Sequence, residues 1–281
     1  MDSLVTGFTP IMQFHFTKMN GAGNDFVVLD NRAQTFQLDQ ETIKRLCDRH
    51  RGVGADGLLA VEPAQEGADF RMRYYNSDGG EAEMCGNGAR CFARYAARLM
   101  PEGTTVVRFE TQAGVIEATL DGELVRLDMG RPTDHRQPKE LSFAGGRMNI
   151  HFINTGVPHA VAFVEDEGIV DIRNLGSALR HHEEFAPKGT NANFAKVEAP
   201  GRLVLRTYER GVEDETLACG TGVCAAALMH AAATGAPSPV HVTVRGGDTM
   251  RVDFDVEADG GFSKVHLTGP ADFVFEGDIS L

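Results

Sequence analysis

The chain of 281 residues contains an internal repeat at an offset of 133 to 134 residues. Four short strings recur in the same order in the second half. Gly23-Asn24 falls on Gly156-Val157, Tyr75-Asn76 on Tyr208-Glu209, and Cys85-Gly86-Asn87-Gly88 on Cys219-Gly220-Thr221-Gly222, while Gly54-Ala55-Asp56-Gly57 falls near Gly189-Thr190-Asn191. Ordered self-similarity at one spacing is the signature of a duplicated structural unit. The repeat therefore predicts two pseudo-symmetric halves.

Each half shows the same succession of elements. Short segments rich in Val, Phe, Leu and Thr are typical of strands, and a C-G-x-G turn then opens one helix. We predict the two helices over about 87–100 and 221–234, since Pro and Gly residues follow each of them. Strands are predicted at residues 106–110, 124–128, 240–244 and 250–256. The pattern indicates an α+β fold.

The repeat also suggests where the halves divide. We expect a first half over residues 1–130, carrying Cys85, and a second half over 131–267, carrying Cys219. Residues 268–281 lie beyond the second repeat and are expected to form a strand that returns to the first half. The tail from Met1 to Ile11 has no counterpart in the repeat and is expected to be disordered.

Charge and cysteine content exclude several classes of protein. The 40 acidic residues outnumber the 27 basic ones, which disfavours a nucleic-acid-binding surface. The most apolar long stretch, residues 223–236, is too short to span a bilayer, and we see no signal peptide, so we expect a cytoplasmic protein without a membrane partner. Five cysteines without C-x-x-C or H-x-x-x-H spacing predict neither a disulfide framework nor a metal site.

Two of the cysteines stand immediately before a glycine-flanked helix start, Cys85 and Cys219. Helix N-termini carry unpaired amides and a partial positive charge, both of which favour anions. We therefore expect the pKa of each thiol to fall below its usual value of about 8.5, and the same amides to hold a carboxylate. Cys47, Cys91 and Cys224 lack this context and are expected to be packing residues.

Duplication then indicates a reaction type. If the two halves face each other, Cys85 and Cys219 approach one ligand from opposite sides. Inversion of a stereocentre needs this arrangement, because one thiolate removes the α-proton and the other thiol delivers a proton to the opposite face. Amides at both helix starts would stabilise the enediolate that forms in between, each being worth about 3 kcal/mol.

Four motifs together resemble the signatures of diaminopimelate epimerases. They are Thr17-Lys18-Met19-Asn20-Gly21-Ala22-Gly23-Asn24-Asp25-Phe26, Arg51-Gly52-Val53-Gly54-Ala55-Asp56-Gly57, Met84-Cys85-Gly86-Asn87-Gly88-Ala89-Arg90-Cys91, and Tyr208-Glu209-Arg210-Gly211 leading to Ala218-Cys219-Gly220-Thr221-Gly222. The resemblance implies an epimerase that needs no cofactor and interconverts LL- and meso-diaminopimelate, on the route to lysine and peptidoglycan. It implies a curved sheet around a central helix in each half, an active site in the cleft between the halves, and a possible homodimer.

The resemblance also implies roles for individual residues. Cys85 and Cys219 match the two acid/base thiols, and His159 and Glu209 match the groups that help to deprotonate them. The substrate-binding positions are the amides of Gly86, Asn87, Gly220 and Thr221, and the side chains of Asn24, Asn76, Asn191 and Arg210. Arg210 would face the distal carboxylate, since a guanidinium binds a carboxylate with two parallel hydrogen bonds.

Two positions depart from the family pattern. Val157 stands where many members have Asn, and Gly57 stands where some have Gln, so another group must hold the distal end of the substrate or the specificity has changed. One alternative is therefore a racemase of the same architecture acting on another amino acid, such as histidine or proline. The other is a non-catalytic amino-acid binding protein that keeps the cleft.

Overall fold

The computed structural model describes residues 12–143 and 146–281, so the tail expected to be disordered lies outside the described residues. Within these ranges the chain forms eighteen strands. They are β1 Gln13–Gly21, β2 Asn24–Asp30, β3 Gly57–Glu62, β4 Phe70–Asn76, β5 Glu81–Ala82, β6 Val106–Thr111, β7 Gly114–Asp121, β8 Leu124–Asp128, β9 Thr133–Phe143, β10 Gly146–Asn154, β11 Pro158–Phe163, β12 Asn191–Ala199, β13 Arg202–Glu209, β14 Asp214–Thr216, β15 Val240–Val244, β16 Thr249–Val256, β17 Phe262–Pro270 and β18 Asp272–Ser280. Four α-helices accompany them: α1 Gln40–Cys47, α2 Gly86–Ala97, α3 Ile172–Arg180 and α4 Gly220–Thr234.

The strands pair in the same order in both halves. In the first, the order is β18-β1-β2-β3-β4-β6-β7-β8, with β5 added to β4. In the second, the order is β9-β10-β11-β12-β13-β15-β16-β17, with β14 added to β13. Only β2–β3, β4–β6, β11–β12 and β13–β15 run parallel among these pairs. The expected α+β fold of two pseudo-symmetric halves is confirmed.

Strands β9 and β18 each pair away from the strand that precedes them in the chain. Strand β9 follows β8 in the chain but pairs with β10, and β18 follows β17 but pairs with β1. The two halves are also joined directly, because β8 pairs antiparallel with β17 from Leu124 opposite Pro270 to Asp128 opposite His266. Strand β17 extends through Pro270, so the returning strand begins at Asp272 rather than at residue 268.

A central helix fills the core of each half. Every residue of α4 from Val223 to Met229 is fully buried, and α2 is buried over most of its length, including Phe92. A helix that is apolar on all sides has to lie inside a sheet rather than on top of it. Both central helices begin one residue earlier than predicted. Helix α2 also ends earlier, because the amides of residues 98–100 bond to carbonyls three residues back and form a tighter turn.

The four strands predicted from alternation are confirmed as β6, β8, β15 and β16. The two short helices α1 and α3 were not predicted. Each begins at an aspartate, Asp39 or Asp171, whose carboxylate accepts a hydrogen bond from a backbone amide of the first turn. Each carries the chain between two parallel strands, a connection that a tight hairpin cannot make. No helix in the described ranges is long and apolar enough to cross a membrane.

Candidate active site

Cys85 and Cys219 are the residues immediately before α2 and α4, in extended conformation. Neither side chain caps its helix, so the first amides of both helices remain available to a ligand. The two helix starts lie close together. The side-chain amide of Asn87 donates to the carbonyl of Ala218 over 3.2 Å, and its oxygen lies 3.8 Å from where a Cβ at Gly220 would stand. The structure thus brings the two C-G-x-G motifs together.

At each thiol, burial and hydrogen bonding act on the pKa in opposite directions. Burial raises the pKa of Cys85, and the amides of Gly88 and Asn87 oppose this rise. Burial also raises the pKa of Cys219, while the Thr221 hydroxyl, 3.5 Å from its sulfur, and the Gly222 amide oppose it. The expected fall in thiol pKa is therefore wrong for the ligand-free protein, because loss of solvent outweighs the helix amides.

Glu209 lies at the end of β13 and is half-buried. Burial raises the pKa of its carboxyl group, and a hydrogen bond from the Thr216 hydroxyl to Oε2, 3.0 Å long, partly offsets that rise. The charge of Glu209 raises the pKa of both Cys85 and Cys219. One carboxyl group therefore acts on both thiols.

His159 is completely buried on β11. Its Nδ1 lies 3.1 Å from Nδ2 of Asn193, and since that amide nitrogen can only donate, Nδ1 accepts and the proton resides on Nε2. Nε2 has no hydrogen-bond partner among the residues that the structure describes. Burial lowers the pKa of His159 to about 3, with the Arg210 charge contributing, so the ring is neutral at physiological pH.

Asn193 fixes this histidine and was missed by the sequence analysis. It also donates to the carbonyl of Ala160 over 3.0 Å and accepts from the Thr207 hydroxyl over 2.9 Å, so its amide cannot turn over without losing bonds. A Cβ at Gly222 would stand 2.6 Å from its oxygen and 3.4 Å from the Cys219 sulfur. Glycine at this position lets the Asn193 side chain approach the start of α4 closely.

A chain of amides anchors the predicted binding residue Asn24. Its Nδ2 donates to Asp56 over 2.8 Å, and its oxygen accepts from Nδ2 of Asn87 over 2.9 Å. The Asn87 oxygen in turn accepts from the Arg90 guanidinium over 2.9 Å. Asn24 and Asn87 thus belong to one hydrogen-bond network. Asp56 and Arg90 also belong to it, and neither was predicted from the sequence as a site residue.

Arg90 is completely buried, the largest side chain with that degree of burial in the described protein. Its other hydrogen bonds go to the carbonyls of Gly86, 3.3 Å away, and Pro270, 3.1 Å away. No carboxylate of the described residues lies within ion-pair distance of it. Buried arginines are normally paired, so this cation is an unusual component of the region around the helix starts.

The predicted binding residues Asn191 and Arg210 are also in contact. The Asn191 oxygen accepts from the backbone amide of Arg210 over 2.9 Å, and its Nδ2 donates to the carbonyl of Pro158 over 3.0 Å. Asn191 therefore ties the turn after β13 to the turn that contains Val157. Within the described chain the Arg210 guanidinium forms no ion pair, which leaves it able to bind a carboxylate.

These contacts define what the region can do chemically. Two thiols, two sets of helix amides, one shared carboxyl group and one neutral imidazole surround the meeting point of α2 and α4. The arrangement offers two acid/base groups and a binding site for an anion, but the thiols of the free protein are held largely protonated. It suits proton transfer at a carbon next to a carboxylate.

Comparisons with a family model and with individual proteins point to the same family. The family described as diaminopimelate epimerase matches residues 16–134 and 151–274. A diaminopimelate epimerase of Chlorobaculum tepidum is 45% identical over 267 residues, covering 94% of this chain and 100% of that protein. One of Aquifex aeolicus is 42% identical over 277 residues, covering 94% of this chain and 97% of that protein.

Solved structures share the fold at low sequence identity. A phenazine biosynthesis protein of the PhzF family from Bacillus anthracis superposes with a TM-score of 0.70 at 18% identity, over 96% of this chain and 99% of that one. A hydroxyproline epimerase from Agrobacterium vitis gives 0.67 at 18% identity, over 96% and 93%. The near full-length sequence matches, together with the duplicated architecture, establish that this chain belongs to the diaminopimelate epimerase family, whose members are isomerases.

Proposed function

We propose that the protein interconverts LL- and meso-diaminopimelate by a two-base mechanism in which Cys85 and Cys219 act on opposite faces of one α-carbon. The observation that carries the proposal is the meeting of two equivalent helix starts, each preceded by a cysteine. One thiolate removes the α-hydrogen as a proton, and the electron pair it leaves moves into the carboxylate to form an enediolate. The other thiol then protonates the opposite face, so the two cysteines exchange protonation states.

The amides of Gly86, Asn87, Gly220 and Thr221 would hold the reacting carboxylate. Both helices direct their unpaired N–H groups and the positive ends of their dipoles towards the same region. Charge grows on the carboxylate oxygens as the proton leaves, so these donors stabilise the transition state more than the ground state. No metal or cofactor is required by this proposal, since the amides supply the electrophilic assistance.

Glu209 and His159 would assist the thiols in different ways. Glu209 carries a raised pKa and acts on both sulfurs, so it can accept a proton from the thiol that starts the reaction. His159 is neutral, with its proton on the buried Nε2, and can donate one hydrogen bond without carrying a charge. Arg210, with Asn191 and Asn76, would bind the far end of the substrate, where Val157 contributes only backbone atoms.

The setting of the enzyme is part of the proposal. We assign residues 1–130 with 268–281 to one half and 131–267 to the other, with the site between them, supported by the pairing of β18 with β1. We place this enzyme in the cytoplasm and assign it a small-molecule substrate. The excess of acidic over basic residues supports the absence of a nucleic-acid partner.

We also propose a homodimer, supported by the exposed apolar pair Val274 and Phe275 on β18, a strand whose only described partner is β1. Substituting both residues with Ser is expected to shift the protein from dimer to monomer in sedimentation equilibrium. A wild-type protein that sediments as a monomer at micromolar concentration would contradict this.

The main test is replacement of each thiol. In deuterium oxide the wild-type protein is expected to convert LL-diaminopimelate to the meso isomer with deuterium at one α-carbon. Cys85→Ala and Cys219→Ala should each lower kcat by about a thousandfold or more, since each removes one of two obligatory acid/base groups. The readout is chiral chromatography with mass spectrometry.

Cys91→Ala is the matched control, because Cys91 is a buried cysteine on α2 that the mechanism does not use. Its kcat is expected to stay within about twofold of wild type.

A panel of amino-acid substrates that includes histidine and proline tests the racemase alternatives. Faster turnover of either than of diaminopimelate would overturn the substrate assignment, and no exchange with any diastereomer would overturn the enzyme.

The raised thiol pKa predicts how Cys85 reacts with iodoacetamide. Because only the thiolate reacts, the alkylation rate of Cys85 in the free protein should rise about tenfold per unit between pH 7 and 9 without levelling off. Peptide mass spectrometry assigns the site, and the buried Cys91 and Cys224 serve as unreactive internal controls. A plateau reached by pH 7.5 would instead mean that the helix amides dominate.

The contacts of His159 predict a neutral ring with its proton on Nε2. Two-bond ¹H–¹⁵N spectra, with the signal assigned through His159→Gln, should show that tautomer and no titration between pH 8 and 5. In the unfolded chain the imidazole titrates near 6.5. The stability gained by keeping it neutral is therefore complete above pH 6.5 and is lost as the pH falls towards 3. A midpoint between pH 6 and 7 in the folded protein would contradict the assignment.

A further inference from the structure

Tyr74 and Asn76 lie on the same face of β4, because side chains two residues apart in a strand point the same way. The Tyr74 hydroxyl donates to Oδ1 of Asn76 over 2.8 Å. The ring of Tyr74 packs against the same apolar cluster as Cys85, and it meets Phe26 edge to face at 6.1 Å. Tyr74 therefore lies on the side of the sheet where α2 begins, next to the proposed site.

Gly57 provides the space for this ring. Gly57 pairs with Asn76 across β3 and β4, and a Cβ at position 57 would stand 2.8 Å from Cε2 of Tyr74 and 2.6 Å from the carbonyl oxygen of Tyr75. A side chain at position 57 would collide with both. The Tyr74 ring from the neighbouring strand occupies the space beside Gly57.

The hydrogen bond decides which end of the Asn76 amide can reach a ligand. With Oδ1 engaged by Tyr74, Nδ2 is the free end, and it has no hydrogen-bond partner among the described residues. In this orientation the end of the amide that is left for a ligand carries two N–H donors, which suits a carboxylate. Burial and the nearby charges of Cys85 and Glu209 raise the pKa of Tyr74, so its hydroxyl remains a donor throughout the working pH range.

We propose that Tyr74 is a positioning residue for substrate specificity: its ring fills the space that Gly57 leaves, and its hydroxyl holds Asn76 as a donor to a substrate carboxylate. The inference rests on the proposed function, because it assumes that Asn76 contacts the substrate. The sequence leaves open which group holds the distal end of the substrate in place of side chains at positions 57 and 157. Under this proposal Asn76 does so, with Tyr74 holding its amide in place. Tyr74 acts only through Asn76 and takes no part in proton transfer.

The test is the pair Tyr74→Phe and Tyr75→Phe. Tyr74→Phe removes only the hydroxyl, and KM for diaminopimelate should rise by about 5- to 30-fold with kcat within about threefold, as for loss of a hydrogen bond to a charged group. Tyr75 is the matched control, since its hydroxyl is buried and has no partner in the described chain. Tyr75→Phe should leave both constants unchanged.

A double-mutant cycle shows whether Tyr74 acts through Asn76. In an Asn76→Ala background, Tyr74→Phe should cause no further rise in KM, whereas independent effects would multiply. Calorimetric binding of meso-diaminopimelate to Cys85→Ala, with and without Tyr74→Phe, repeats the comparison without turnover. Unchanged KM and affinity in Tyr74→Phe, a loss confined to kcat, or multiplying effects in the cycle would each overturn the role of Tyr74 while leaving the epimerase intact. A wild-type protein that neither binds nor epimerises diaminopimelate would overturn both proposals.

Discussion

Two helix N-termini meet at one place, and the surrounding structure has to hold them there. Each carries unpaired amides and a partial positive charge, so their approach is unfavourable until an anion lies between them. The sheets enforce that approach. Strand β8 pairs with β17, β9 pairs with β10 in the second half, and the C-terminal strand β18 pairs with β1 in the first half. Neither half can turn away without breaking these ladders, so the energy of strand pairing keeps an electropositive region available for a carboxylate.

The buried Arg90 side chain near the two helix starts also favours binding of an anion. Arg90 adds a buried guanidinium behind the start of α2, and its described partners are two carbonyls and the Asn87 amide rather than a carboxylate. A buried cation without a counter-ion is costly. In the proposed reaction the substrate carboxylate would supply negative charge near it, and that charge would grow as the proton leaves.

Much of the fold could be predicted from the sequence, because the duplication repeats each local pattern and so supports each prediction twice. The C-G-x-G turns located both central helices to within one residue at their starts, and alternation located four strands. The return of the C-terminal segment to the first half was predicted, whereas the pairing of β8 with β17 was not, since it joins segments far apart in the sequence. Helices α1 and α3 were too short for a periodic signal. Asn193 and Tyr74 act through contacts across neighbouring strands, and the thiol pKa depends on burial, which a motif does not report.

Mostly protonated resting thiols are compatible with two-base chemistry. The reaction needs one thiol as a donor at every moment, so only one of the pair has to ionise, and either must be able to do so for the enzyme to run in both directions. Because Glu209 has a raised pKa, proton transfer from either thiol to it is less uphill than transfer to an ordinary carboxylate. Its charge raises the pKa of both sulfurs, and this effect disappears when Glu209 takes the proton.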